Sequence, residues 1–319
     1  MKTSFYIKLM ACVTLFVSNI SVTNARMIGG NPIGSIPFAI AGDSRIYVTA
    51  SVNGSDSLRF LVDTGASDVV LNPNSPKLKD RFTIDSLADN LGTSGENTVL
   101  YSNLNAIRVG TLYLDKVGCA IIEYPAEYWD GVLGLGVLGL FNIEINYDDF
   151  RIYLYDKKKN LETEDNNCAA YPFVYIYDVP FISLPVKISN NNYDLTLEVD
   201  TGSDRIIDLN TPFVLKHNLL ETQKPFAISR IASSDGGSGE LRNVFFDEVI
   251  VGKYHLPLVA GAFSTLTSGM QSKEDADGMI GNNFLKRFNM AMDFKNKRIF
   301  LKPNKLFYSP FYDFLLPRQ

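Results

Sequence analysis

Histidine is nearly missing from this chain: among 319 residues there are two, His217 and His255, far apart and in unrelated contexts. A His-rich metal site and a Ser/His or Cys/His triad both need imidazole close to a metal or nucleophile, so neither is indicated. Cysteine is almost as scarce. Cys12 lies in the amino-terminal segment, and Cys119 and Cys168 have no Cys-x-x-Cys partner. One disulfide between these two is compatible with an oxidising compartment but not required by the sequence. Basic runs are absent beyond Lys157-Lys158-Lys159, which reads as a solvated turn. With a net charge of −5 and a pI near 5.2, no nucleic-acid partner is expected. The apolar run 9–17 is too short to span a bilayer comfortably. Helical segments are few and short, chiefly 211–219 and 282–288.

What is present is 46% hydrophobic residues against 20% charged, ample for a sizeable core and for two domains of ordinary size. Residues 1–25 open with Lys2 and Lys8, pass through the apolar run and end in Thr23-Asn24-Ala25, the pattern of a secretory signal peptide. Export to the periplasm or the extracellular space is expected, with lipid attachment at Cys12 as the alternative. Strand-like segments dominate the rest of the chain. Runs 46–52 and 58–62 flank Asn53-Gly54, a hairpin signal. Runs 100–109, 112–122, 143–147 and 151–155 are β-branched or aromatic and punctuated by Gly, Asn or Asp. After the polar stretch 157–167 the plan repeats in 181–188, 195–199, 241–251, 256–260, 290–294 and 298–301. The division is therefore a leader (1–25), a first lobe (26–160), a second lobe (161–304) and a tail (305–319). Phe307, Tyr308, Phe311, Tyr312 and Phe314 should pack that tail on the body.

The repetition extends to motifs. Asp-Thr-Gly occurs at Asp63-Thr64-Gly65 and at Asp200-Thr201-Gly202, each after an alternating strand-like run. One tripeptide is expected only about 0.1 times in such a chain. An Asp-Gly-apolar-apolar-Gly element comes after each copy, at Asp130-Gly131-Val132-Leu133-Gly134 and Asp277-Gly278-Met279-Ile280-Gly281. The offset between halves is 200 − 63 = 137 at the first motif and 277 − 130 = 147 at the second. It is constant within blocks and steps between them, as in a domain-sized duplication with loop insertions.

A single Asp-Thr-Gly reads as a turn in which Asp bonds its own backbone. Two copies in a duplicated chain can instead meet across a pseudo-twofold axis. Carboxyl groups about 3 Å apart cannot both ionise at moderate pH, so they share a proton. One can then draw a proton from water while the other donates one, which is what amide hydrolysis needs.

With Asp63-Thr64-Gly65-Ala66, Asp200-Thr201-Gly202-Ser203 and the two apolar-apolar-Gly elements, the chain resembles the aspartic peptidases. More specifically, it resembles exported bacterial proteins with two tandem retropepsin-like domains, over roughly residues 35–304. The resemblance implies a mainly β fold of two homologous retropepsin-like β-barrel lobes in a pseudo-twofold bilobal structure. It implies that Asp63 and Asp200 form the catalytic pair and that Thr64 and Thr201 brace the loops. Gly65 and Gly202 admit the carboxylates, and Ala66 and Ser203 complete the loops. Val132, Leu133 and Gly134, like Met279, Ile280 and Gly281, pack behind them. Glycine-rich flap candidates are Gly92, Thr93, Ser94 and Gly95 in one lobe and Gly236, Gly237, Ser238 and Gly239 in the other. The flap tyrosine of pepsin-like members has no aligned counterpart; Tyr101 is nearby. The partner implied is a peptide or protein substrate, bound by a monomer with an intrachain pseudo-dimer, with neither metal nor cofactor because the nucleophile is water. An inactive peptide-binding homologue and pairing between two chains are the alternatives.

Two readings concern single residues. Ser203 can offer a hydroxyl to Asp200 where Ala66 cannot serve Asp63, so Asp200 is expected to be the more acidic partner. Trp129 reads as a packing residue, with pocket lining as the alternative. Gly134-Leu135-Gly136-Val137-Leu138-Gly139 has the dinucleotide spacing, but a strand-like segment comes after it where a helix should, so no nucleotide cofactor is expected.

Overall fold

The computed structural model describes residues 26–55 and 57–311. The leader, with Cys12, and Tyr312 and Phe314 of the tail lie outside the described residues. The first half contains β1 (Gly34–Ile40), β2 (Ile46–Val52), β3 (Leu58–Val62), β4 (Val69–Leu71), β5 (Ser86–Leu91), β6 (Glu96–Val109), β7 (Leu112–Ile121), β8 (Gly131–Leu133), β9 (Asn142–Asn146) and β10 (Arg151–Tyr155). The second contains β11 (Ala169–Ile176), β12 (Val179–Ile188), β13 (Asn191–Asp200), β14 (Ile207–Leu209), β15 (Ala227–Ala232), β16 (Ser238–Val251), β17 (Tyr254–Ser264), β18 (Gly278–Gly281), β19 (Phe288–Asp293) and β20 (Arg298–Pro303). The chain is mainly β, as its alternating apolar runs imply. In β13, for example, Leu195, Leu197 and Val199 are all fully buried. Asn53 and Gly54 both take positive φ in the turn between β2 and β3, closed by Ser55 N–H to Val52 O.

The two halves repeat one pairing scheme. β2 lies against β1, β3 and β6, just as β12 lies against β11, β13 and β16. β3 runs parallel to β8, and β13 runs parallel to β18. β4 sits between β7 and β8, and β14 between β17 and β18. One further sheet joins the halves in the order β1, β10, β9, β19, β20, β11, with Ile145 opposite Met290 at its centre. That order is palindromic between the halves. One contiguous apolar cluster runs through both, from Ile36, Val48 and Ile145 to Leu184, Leu197 and Met290.

The described part of the tail is clamped by Arg287. This fully buried side chain donates from Nη2 to Ser309 O (2.9 Å) and Pro310 O (2.8 Å), and its guanidinium lies 3.8 Å over the Phe311 ring. Phe307 packs edge-on against Phe288, whereas Tyr308 is exposed. The Cys119 and Cys168 thiols are both free, one buried in β7 and the other beside Met27.

Candidate active site

The second repeated motif supports the first. β8 and β18 lie beside the strands that carry the aspartates, pairing Val62 with Leu133 and Asp200 with Gly281. Ahead of each, an Asp carboxylate accepts a backbone N–H from that strand: Asp130 from Arg59 (2.7 Å) and Asp277 from Thr196 (2.8 Å). Behind the Asp loops, Leu135 N–H donates to Ala66 O and Asn282 N–H to Ser203 O, each at 2.8 Å. A Cβ on Gly134 would collide with the carbonyls of Ala66 and Asp68, and one on Gly281 with that of Arg205. Val132, Leu133, Met279 and Ile280 are buried between these contacts. One helical turn, Leu135–Leu138, succeeds β8 before β9 begins. The Gly-x-Gly-x-x-Gly segment thus has a preceding strand and a helical turn that its sequence did not suggest, and its first glycine is occupied in supporting the Asp63 loop.

The Asp-Thr-Gly loops exchange groups across the two halves. Thr64 N–H donates to Thr201 Oγ1 and Thr201 N–H to Thr64 Oγ1, both at 3.1 Å. The same hydroxyls donate onward, Thr64 to Val199 O (2.5 Å) and Thr201 to Val62 O (3.0 Å). Both threonines are fully buried, so each hydroxyl satisfies backbone groups that water cannot reach. The glycines cross in the same way. A Cβ on Gly65 would stand 2.8 Å from Asp200 Cγ, and one on Gly202 would overlap the Asp63 carboxyl. Glycine at these positions brings Asp63 and Asp200 into hydrogen-bonding contact with each other.

Each carboxyl also has local donors. Gly65 N–H reaches Asp63 Oδ1 and Gly202 N–H reaches Asp200 Oδ1, both at 2.8 Å, and Ser203 N–H adds a 3.0 Å bond to Asp200. Burial raises Asp63, opposed by hydrogen bonds from Asp200, Gly65 and Ala66 and by the positive field of Arg45. Asp200 is held well above the usual carboxylate range by burial and by the negative charges of Asp63 and Glu198. Both carboxyls are therefore raised and titrate as one coupled pair. Ser203 does not turn its hydroxyl to Asp200 as the sequence expectation supposed. Its hydroxyl accepts Arg205 N–H at 3.2 Å and gives Asp200 only the backbone donor that any residue would supply.

Three neighbours escaped the sequence reading. Glu198 is 7% exposed, and its Oε1 lies 2.8 Å from the Cβ position of Gly65. Burial and the charge of Asp63 raise its carboxyl to about 8. Arg45 pairs with Asp43 at 2.9 Å and stacks 5.0 Å over Trp129. Tyr124 is pushed upward by burial and by Asp63. A signal for Glu198 was available: it stands two residues ahead of Asp200, where the first half has Leu61 ahead of Asp63. Tyr101 sits in β6, its hydroxyl 3.5 Å from Asp68 Oδ1. Trp129 is buried in an apolar cluster with Leu61, Val70 and Val132, 5.0 Å from the Tyr124 ring.

The glycine-rich segments are hairpin tips, and they meet. Gly92 N–H to Gly95 O closes the turn between β5 and β6, while Ser233 N–H to Gly237 O closes that between β15 and β16. Ser94 N–H donates to Ser233 Oγ and Asp235 Oδ2, both at 3.2 Å, and its hydroxyl lies 3.1 Å from Asp235 Oδ1. Thr93 O accepts Gln271 N–H, and Gly92 O accepts Met270 N–H. Gly237 touches Ser94, Gly236 takes a positive φ of 80° in the turn, and Ser238 and Gly239 already belong to β16.

Residues 48–140 match the aspartyl protease family. An uncharacterised protein of Rickettsia prowazekii is 31% identical over 123 residues, 38% of this chain; the matched stretch spans 48% of that relative's length. The aspartic proteinase of Irpex lacteus superposes with a TM-score of 0.54 at 14% identity, covering 86% of this chain and 98% of its own. The likeness is thus by sequence to the aspartyl protease family over residues 48–140, and by fold to a pepsin-like aspartic proteinase over most of the chain.

Proposed function

We propose that the protein is an aspartic endopeptidase in which Asp63 and Asp200 activate water against a peptide bond. The observation that carries this reading is the crossing of the two loops: each half's glycine admits the other half's carboxyl, and each threonine hydroxyl holds the other half's backbone. The ionised member of the Asp63/Asp200 pair takes a proton from water as the water oxygen adds to the scissile carbonyl carbon. Its protonated partner gives a proton to the carbonyl oxygen, which yields a neutral gem-diol. The leaving nitrogen is then protonated as the C–N bond breaks, the carboxyl re-forms, and the dyad again holds one proton. The hairpin tips at Ser94 and Asp235 act as the lid that keeps bulk water from the reacting bond. In this reading one exported chain supplies both aspartates and works as a monomer.

Cleavage of a diverse peptide library from about pH 3 to 8 tests this, beside Asp63→Asn and Asp200→Asn. Each substitution should lower kcat/KM by about a thousandfold or more while leaving the fold intact. Folded protein that binds peptides and cleaves none at any pH is instead a binding homologue.

A further inference from the structure

Leu61 and Glu198 hold equivalent places, each two residues ahead of its aspartate, so the period of a strand puts each on the same face as the reacting carboxyl. Their surroundings differ. Leu61, 3% exposed, belongs to an apolar cluster against which Tyr101 and Tyr124 pack. Among the described residues neither a cation nor a hydrogen-bond donor acts on the Glu198 carboxyl. The groups that act on it are acids: Asp63 raises its pKa, and it raises that of Asp200 in turn. Such burial of an acid is unfavourable. The equivalent place in the other half is filled by leucine. A cation arriving with the substrate would supply what the fold withholds.

We propose that Glu198 is a specificity-determining residue, pairing with the ammonium or guanidinium group of a lysine or arginine on one side of the scissile bond, opposite an apolar residue on the Leu61 side. This rests on the peptidase reading of the same site. Glu198 is about 7 Å along β13 from Asp200, within reach of a long basic side chain on an extended peptide lying over the dyad. The equivalent position beside Asp63 carries no charge. The preference is therefore one-sided, and it separates the two ends of a substrate that the paired aspartates alone would treat alike.

Matched peptides test it, with leucine on one side of the cleaved bond and lysine, arginine, norleucine or glutamate on the other, in both orders. Wild-type protein should favour lysine over norleucine by about tenfold or more in kcat/KM, in one order only. Glu198→Gln, which keeps the side-chain volume, should bring that ratio to about one or below, and Glu198→Leu should favour norleucine. Cleavage with no basic preference, or a preference that survives Glu198→Gln, overturns the proposal and leaves the peptidase reading standing. The same sequences with an uncleavable hydroxyethylene bond, measured by calorimetry, separate the two ideas. Tight binding of the lysine form that weakens about tenfold in Glu198→Gln, in a protein that cleaves nothing, retains the role of Glu198 and removes the peptidase. Absence of both cleavage and selective binding removes both.

Discussion

Asp63, Asp200 and Glu198 form one cluster of acids, Glu198 buried and the two aspartates half-buried, and desolvation is the leading reason each is raised. The consequence for stability has a definite sign. Glu198 would titrate at 4.5 in a solvated chain and at about 8 in the fold, so between those values the folded state keeps a proton that the unfolded state has lost. Its stabilising contribution is complete below about pH 4.5 and is lost as pH rises through about 8. Glu198→Gln has no proton to lose, so its melting temperature should fall less than that of wild type between about pH 5 and pH 9. Circular dichroism melts across that range decide the matter, and parallel slopes for the two proteins would mean that Glu198 is not held neutral by the fold. Asp63 and Asp200 add slopes of the same sign, with Arg45 opposing at Asp63. Because Glu198 also raises Asp200, the difference between the two proteins reports Glu198 together with its coupling to Asp200.

At the scale of elements, the crossing of the Asp-Thr-Gly loops makes the ends of β3 and β13 depend on each other. Thr201→Ala removes the donor to Val62 O and the acceptor for Thr64 N–H, leaving two buried backbone groups without partners. Each such group costs about 1–3 kcal/mol. The urea midpoint should drop accordingly, and Thr201→Ser should recover most of the loss because it restores the hydroxyl. An unchanged midpoint in Thr201→Ala would mean the crossing hydroxyls do not hold the halves together. Much of this was legible in the chain. β2, β3 and β10 occupy the ranges that the alternating pattern marked, and each Asp-Thr-Gly motif lies at the end of a strand or just past it. β1 and β11 went unread because Pro37 and Pro172 interrupt their patterns, and β5 because Ser86, Asp89 and Asn90 make it polar. The orientation of the Ser203 hydroxyl was hidden for another reason: it answers to Arg205 N–H in a local turn, not to the aspartate that the motif emphasises. Glu198 was visible as a charge opposite a leucine. That its carboxyl meets Gly65 depends on contact between residues 133 positions apart, which no local pattern carries.

For the whole molecule, the two halves touch at the joining sheet, at the crossed aspartate loops, at the hairpin tips, and where Ser44 O accepts from Asn282 Nδ2. The first two bury backbone partners, whereas the third combines the backbone bonds from Met270 and Gln271 with side-chain contacts of Ser94 and Asp235 on glycine-rich turns. Contacts of that kind open more readily than a sheet. If the tips form the lid, the Asp235 carboxylate is its latch, since it accepts from Ser94 in one half and Gly237 in the other. Asp235→Ala should therefore free the first-half tip without disturbing Asp63 or Asp200, whose donors lie in their own loops. Amide exchange at residues 92–95 should accelerate by about tenfold or more while exchange in β9 and β19 stays at the wild-type rate. Association of a hydroxyethylene peptide should quicken by several-fold, about the range over which rates vary within one interface, and its dissociation should quicken more. Wild-type exchange at 92–95 in the variant would mean that Met270, Gln271 and the pairing of Lys273 with Glu96 hold the tip unaided. In that case the first-half hairpin is a fixed wall of the cleft, and substrate enters by movement of the second.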